Sequence, residues 1–364
     1  MRKDTAARQP SQAEALTRTK PSFHAASALL LSAALAGCGG SPGEAGVAGA
    51  SLEEGQAESA LELREGSGGD TTSAPTLACA PLCNGSCTPI DLATINTNGA
   101  INIALTDQYV YYGGGYGSEV SNDEVGRVPK AGGAKTVLIN RLTYVTELVG
   151  SGPYAYFSGS GRGLGSNLNR VNPDGTITAL PVTGGYPSGV AVDSTHIYWI
   201  GNNQYNIYAQ PLSGGTASLV VPHDPVQGGL RTSLFADGDS LYYRELGSLS
   251  STMKAPKSGA AAPIKLTRTS WYLDFDDANV YYAASGVYRI PKSGGTAVKL
   301  AATGTRVVVD SERIYWLDGT ALRAMCKDGT GAQVLASTGE SYNLAVDSTG
   351  VYWAGEGKIR KIAK

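Results

Sequence analysis

The chain repeats itself, and the period limits what it can become. Seven tyrosines preceded by an aliphatic or small residue, Tyr111, Tyr156, Tyr198, Tyr242, Tyr281, Tyr315 and Tyr352, stand 45, 42, 44, 39, 34 and 37 residues apart. A period of about 40 residues fits one small antiparallel sheet of four strands per copy. Such a sheet cannot cover both of its faces alone, so the copies must stack on one another. Five copies carry an Asp five residues before the Tyr: Asp193, Asp237, Asp276, Asp310 and Asp347. The first two copies are degenerate, with Thr106-Asp107 and Ser151 in that region.

Each copy parses into four strands. Strand A is an apolar run such as Gly189-Val190-Ala191-Val192. The Asp then opens a turn, because its carboxylate can accept from backbone N–H groups two residues on. Strand B carries Ile197-Tyr198-Trp199 or its counterpart, and strand C runs into a glycine turn such as Pro291-Lys292-Ser293-Gly294-Gly295. Strand D closes the unit, as in Ala297-Val298-Lys299-Leu300. With 48 Gly and 20 Tyr among 364 residues, against 4 Phe and 3 Met, the composition suits short strands and tight turns rather than helices. The fold class is all-β.

Ile314-Tyr315-Trp316-Leu317-Asp318 followed by Cys326-Lys327-Asp328-Gly329 resembles the YWTD repeat of LDL-receptor-type propellers. The Val-Asp ending of strand A is similar to the NHL, TolB-like and streptogramin-lyase-like propellers. The resemblance spans residues 88–364 and implies a β-propeller of four-stranded blades. Seven blades are predicted from the seven copies; six, as in YWTD and TolB-like rings, is the alternative. The last copy ends at the turn after strand C and so lacks strand D. Upstream, Thr88-Pro89-Ile90-Asp91-Leu92-Ala93 matches Thr296-Ala297-Val298-Lys299-Leu300-Ala301, which predicts that an N-terminal strand completes the last blade and removes an open edge.

The N-terminal 78 residues read differently. Residues 1–37 carry five basic and two acidic residues, and residues 39–78 carry seven acids and one Arg. Ala25–Ala36 is an apolar run too short to span a bilayer, as in a signal peptide. Its end, Leu35-Ala36-Gly37-Cys38, resembles a bacterial lipobox, which implies a lipoprotein signal peptide over 1–37 and acylation of Cys38. The partner implied there is the lipid bilayer, and the location is the bacterial cell envelope, periplasm-facing or at the outer membrane surface. Residues 38–78 are rich in Gly, Ala, Ser and Glu and predict a disordered tether. The propeller is placed over 79–364. No basic stripe with interleaved aromatics appears, so nucleic acid is not an expected partner.

Cys79, Cys83, Cys87 and Cys326 are an even number in an exported domain and predict disulfides. Aligning the copies favours Cys87–Cys326, leaving Cys79–Cys83. The cysteine spacing matches no zinc pattern, and no metal or other cofactor is expected.

In propellers of the families named, the B–C and D–A loops share one face, usually the binding face. These loops are long in the first four copies, which points to a cleft for a protein or small-molecule ligand there. Candidate binding residues on those loops are Tyr116, Glu119, Asp123, Arg162, Asn203, Tyr205, His223, Asp224 and Arg231. At the strand A entrances, Tyr186, Trp271, Arg306 and Tyr342 are candidates for the mouth of the channel. No catalytic constellation is evident. The expectation is a membrane-anchored, non-enzymatic binding module. The alternatives are a lyase or hydrolase using His223 with acidic loop residues, and a structural envelope protein.

Overall fold

A computed structural model describes residue 79 and residues 82–85, 87–95, 101–114, 123–161, 163–164, 167–224, 226, 228–247, 250–268 and 272–364. Cys38, the expected signal peptide, and the expected tether lie outside the described residues. Among the described residues the regular secondary structure is all strand, apart from one 3-10 turn at Leu82–Gly85.

After β1 (Ile90–Thr94), the first copy contributes β2 (Ile101–Leu105), β3 (Tyr109–Gly114), β4 (Asp123–Pro129) and β5 (Thr136–Ser151). The second adds β6 (Tyr154–Gly161), β7 (Leu168–Val171) and β8 (Ile177–Leu180). The third is β9 (Pro187–Val192), β10 (His196–Gly201), β11 (Asn206–Pro211) and β12 (Ser218–Val221). The fourth is β13 (Leu230–Asp237), β14 (Ser240–Leu246), β15 (Ser251–Pro256) and β16 (Ile264–Arg268). The fifth is β17 (Leu273–Phe275), β18 (Asn279–Ala283), β19 (Val287–Pro291) and β20 (Val298–Ala301). The sixth is β21 (Arg306–Val309), β22 (Arg313–Leu317), β23 (Ala321–Cys326) and β24 (Gln333–Ser337). The last is β25 (Ser341–Asp347), β26 (Gly350–Gly355) and β27 (Lys358–Ala363).

These strands form five four-stranded sheets and one seven-stranded sheet, β2 through β8 in sequence order. The large sheet arises because β5 is a single strand of 16 residues that ends the first copy and begins the second. Counting β5 in both, the strands parse as seven four-stranded units. First strands of successive units lie side by side, β25 against β2, β2 against β5, β5 against β9, and β9 against β13, with β21 between β17 and β25. The last unit is completed from the other end of the chain: β1 pairs antiparallel with β27, with Ile90 opposite Lys361 and Thr94 opposite Lys358.

The core lies in the seams between units. One cluster joins Leu92, Ile101 and Tyr112 of the chain's start to Tyr352 and Ile359 of its end. Another joins Tyr198 and Ile207 of the third unit to Leu234 and Tyr243 of the fourth. Both faces of the inner strands are therefore buried, which is why strand B reads as a continuous apolar run instead of alternating.

The repeat's signature residues are fasteners between units. The turn Asp accepts backbone N–H groups through Oδ1, as from Glu312 at 2.8 Å and Arg313 at 2.7 Å to Asp310. In three units its Oδ2 also accepts the same unit's Tyr hydroxyl, at 2.9 Å for Tyr198–Asp193, 2.7 Å for Tyr281–Asp276 and 2.9 Å for Tyr315–Asp310, whereas among the described residues Tyr242 Oη has no partner and Tyr352 Oη lies 2.6 Å from Thr349 Oγ1. The same carboxylate pairs with the Lys that directly follows strand C of the next unit. The pairs are Asp193–Lys257 at 2.6 Å, Asp237–Lys292, Asp276–Lys327 at 3.2 Å, Asp310–Lys364 at 2.5 Å and Asp347–Lys130 at 2.5 Å. Where the Asp is missing, the next unit's Lys is missing too: Thr106 faces a turn with Pro173, and Ser151 faces one with Leu212.

The cysteine pairing departs from expectation. Cys79 bonds Cys326, and Cys83 bonds Cys87. The cause is Leu82, which is buried among Tyr315, Leu317, Leu322 and Leu344. Seating Leu82 in that seam sets Cys79 against Cys326 and leaves Cys83 and Cys87 to close the 3-10 turn.

Candidate functional site

The first strands carry a belt of polar residues that meet across the axis. Arg306 on β21 donates from Nη2 to Asn343 Oδ1 on β25 at 2.6 Å. Asn343 Nδ2 donates to Asn102 Oδ1 on β2 at 3.2 Å, and Asn102 Nδ2 donates to the Thr146 carbonyl on β5 at 3.4 Å. Four neighbouring first strands are thus joined by side-chain amides, where an apolar axis would have served stability equally well. The Arg306 guanidinium lies 3.6 Å over the Tyr272 ring, and its Nη1 is buried with no hydrogen-bond partner.

Two carboxyl groups flank that guanidinium. Burial pushes Glu147 up to about 7, against the pull of Arg306. Burial pushes Asp274 up to about 6, opposed by the backbone N–H groups of Val309 and Phe275 and by Arg306. Those N–H groups donate to Asp274 at 2.7 and 2.8 Å. Both side chains are half-buried, enclosed by protein yet reachable by water. A carboxyl poised near neutrality can hold or release a proton at physiological pH, and an unpartnered guanidinium N–H can donate to an incoming acceptor.

The tyrosine ruler finds this belt. The residue nine before each repeat Tyr is Asn102, Glu147, Gly189, Ser233, Tyr272, Arg306 or Asn343. The residue seven before is Ala104, Val149, Ala191, Phe235, Asp274, Val308 or Ala345. One ring is largely polar, and the other is apolar except at Asp274. Of the polar ring, only Arg306 was among the expected binding residues. Glu147, Asn102, Asn343 and Tyr272 stand on strands and not on the variable loops, and only the aligned column across copies marks them in the sequence.

The loop candidates divide. Tyr116, Glu119, Arg162 and Trp271 lie outside the described residues, as do the side chains of Asp123 and Tyr342. Tyr186 is 49% exposed at the entrance to β9, beside Tyr144 of β5. Asn203 is exposed, and its N–H donates to the Gly184 carbonyl at 2.9 Å. Asp224 is exposed, and its Oδ1 caps the N–H of Val226 at 2.8 Å.

Arg231, Tyr205 and His223 are fixed by the structure of this corner. Arg231 belongs to β13 and is only 4% exposed, not a free loop residue. It pairs with Glu245 at 3.1 Å and donates to the carbonyls of Tyr205, Val221 and Pro222. Tyr205 adopts φ 55° and packs edge-on against the His223 ring. His223 Nε2 lies 2.9 Å from the Gly229 carbonyl, so Nε2 carries the proton and donates it. Its backbone N–H donates to Asn206 Oδ1 at 2.8 Å. The group binds strand ends together, and the His ring is already engaged.

No protein-family model matches the sequence, and no curated protein matches it. Solved structures do resemble the fold. A streptogramin B lyase aligns with 14% identity and TM-score 0.58, covering 76% of this chain and 97% of the lyase. A catalytically inactive virginiamycin B lyase from Staphylococcus aureus with quinupristin gives 15% identity and TM-score 0.56, covering 77% and 99%. YCF48 bound to D1 peptide gives 14% identity and TM-score 0.55, covering 80% and 100%. The described domain is a β-propeller. At these identities the propeller likeness extends to the fold alone.

Proposed function

We propose that the propeller is a binding module whose ligand or protein partner enters at the axis. Lipid on Cys38 would hold the module at the bacterial cell envelope. The observation that carries the reading is the axial belt: Arg306, Asn343 and Asn102 are hydrogen-bonded in a row along the first strands, Glu147 acts on the same guanidinium, and Arg306 keeps a buried donor unpartnered. Buried polar groups without full satisfaction are costly, and their persistence here points to use. Propellers of similar fold include one bound to D1 peptide and one with quinupristin, which supports occupancy of this fold by a peptide or by a smaller molecule. The exposed Tyr186 and the loop around Asn203 would extend the contact surface outward.

A second reading, an enzyme, has one observation in its favour, and it moves the centre from His223 to Glu147. A carboxyl held near 7 beside a guanidinium is suited to general acid or base work. The two readings separate in one comparison. Envelope extracts are passed over the wild-type propeller, over Asn343→Ala, and over Ser311→Arg on the opposite face. Retention of the same ligand or partner by wild type and Ser311→Arg, lost with Asn343→Ala, supports the module; retention indifferent to Asn343 removes the axial site. Conversion of the retained ligand, abolished by Glu147→Gln, would make it an enzyme. Anchoring is tested apart: Cys38→Ser should move the protein out of the membrane fraction, and unchanged fractionation would refute the lipid anchor.

A further inference from the structure

The seam between the second and third units is built differently from the others. Besides the Asp–Lys fasteners, a second tie recurs in which a cation on strand C donates to a carbonyl of the next unit's glycine turn. It joins Arg127 to Pro173 at 2.8 Å, Lys254 to Lys292 at 2.7 Å, Arg289 to Lys327 at 3.0 Å and Lys361 to Lys130 at 3.1 Å. Among the described residues, each seam has one tie or both, except this one. Ser151 and Leu212 replace the Asp and the Lys. Arg170 occupies the strand C position, yet its Nε donates to Asn172 of its own unit at 3.0 Å. Its guanidinium lies 5.1 Å over the Tyr154 ring and makes no bond to the third unit.

A cavity of about 230 Å³ opens at this seam, lined by Tyr156, Arg170, Leu180, Ile197, Gln210 and Leu212. The repeat Tyr survives here, but Tyr156 has lost the carboxylate that its counterparts Tyr198, Tyr281 and Tyr315 donate to, and its hydroxyl makes no hydrogen bond among the described residues. The seam therefore keeps its hydroxyl donor and a cation, and lacks the acceptor between them. Gln210 adds the opposite need: Nε2 donates to the Gly215 carbonyl at 2.7 Å, while Oε1 is buried without a partner.

We infer that this cavity binds a small carboxylate bearing a hydrogen-bond donor on the adjacent carbon. The carboxylate stands in for the missing Asp, accepting from Tyr156 Oη and the Arg170 guanidinium. The neighbouring donor satisfies Gln210 Oε1, and Leu180, Ile197 and Leu212 cover the apolar remainder. The cavity is smaller than the 300–1,000 Å³ usual for larger ligands, which limits the occupant to a few heavy atoms. A 2-hydroxy acid and the C-terminal residue of a peptide share this chemistry. The site lies on the face of the glycine turns, away from the loops around Tyr186 and Asn203.

The test titrates the full domain with L-lactate, with N-acetyl-L-alanine, and with N-acetyl-L-alanine amide, followed by NMR shifts and by thermal midpoint. Saturable binding of lactate or of N-acetyl-L-alanine, but not of the amide, is expected; the tighter of the two names the source. Arg170→Met should weaken it by about tenfold or more. Ser151→Asp with Leu212→Lys should rebuild the fastener, abolish binding and raise the midpoint. Absence of saturation with both acids overturns the proposal, as does binding unaltered by Arg170→Met. A well-folded Ser151→Asp/Leu212→Lys variant that binds like wild type overturns it too.

Discussion

Removing the Asp193 carboxylate should cost more than any surface ion pair. Its two oxygens accept from the backbone N–H groups of Thr195 and His196 at 2.8 Å each, from Thr195 Oγ1 at 2.9 Å, from Tyr198 Oη at 2.9 Å and from Lys257 Nζ at 2.6 Å. Side-chain exposures of 21% for Asp193 and 14% for Lys257 place the pair between a solvated bridge and a sealed one. Asp193→Ala leaves an ammonium, two hydroxyls and two N–H groups short of an acceptor, for a cost of about 3 kcal/mol. Lys257→Met keeps the stem packed over Tyr198 and costs about 1 kcal/mol. Their coupling in a double-mutant cycle should be on the order of 1–2 kcal/mol. For a domain of this size that puts the Asp193→Ala midpoint lower by roughly 5–10 °C. Burial pushes the Asp193 carboxyl up, but Lys257 and the turn N–H groups outweigh it and hold it well below the ordinary range. A carboxyl lowered by folding stabilises above its unfolded value near 3.8, and the benefit is lost as pH falls further. Calorimetry of the four proteins at pH 7 and pH 3 checks both parts. Coupling within error of zero at pH 7 would refute the view of the repeat Asp as an inter-unit fastener.

Other outcomes follow from packing and topology. Cys79→Ser should lower stability by about 2–5 kcal/mol, because the Cys79–Cys326 bond closes a span of 247 residues; denaturant melts with and without reductant measure it. Intact mass after partial reduction and alkylation should recover the pairs Cys79–Cys326 and Cys83–Cys87. Gly150→Ala should destabilise by about 2 kcal/mol or more, since a Cβ there would drive into the Leu105 backbone carbonyl where β5 passes β2. An alanine variant melting like wild type would mean the first strands lie further apart than described.

Much of the fold was legible in the sequence because a repeat imposes its own alignment. The turn Asp, the Tyr and the glycine-turn Lys recur because they bond to one another, so the motif that marks the period also holds the ring. The closing strand at Ile90 was readable since it is an out-of-place copy of Val298–Ala301. What escaped was set by contacts outside the repeat. The disulfide pairing depended on where Leu82 would bury, and no other copy has a counterpart to align with it. The continuous β5 escaped because no glycine or proline marks its handover between copies, where Arg141 takes φ 59° instead. The axial belt was visible only as a column across copies. His223 and Arg231 looked available in a loop flanked by prolines, and the structure spends both on holding strand ends.

Glu147 sits in the axial cluster, enclosed by protein, and burial pushes its carboxyl up to about 7. Carbon-13 NMR of the Glu147 carboxyl, assigned by Glu147→Gln, measures this directly. The sign is fixed by burial: the folded state holds the proton longer than the unfolded chain, so wild type loses stability relative to Glu147→Gln as pH rises from about 4.5 through about 7. A midpoint of titration near 7, moving higher in Arg306→Met, is the predicted result. A midpoint at the ordinary carboxylate value, unmoved by Arg306→Met, would contradict the enclosure of Glu147 beside Arg306 at the axis.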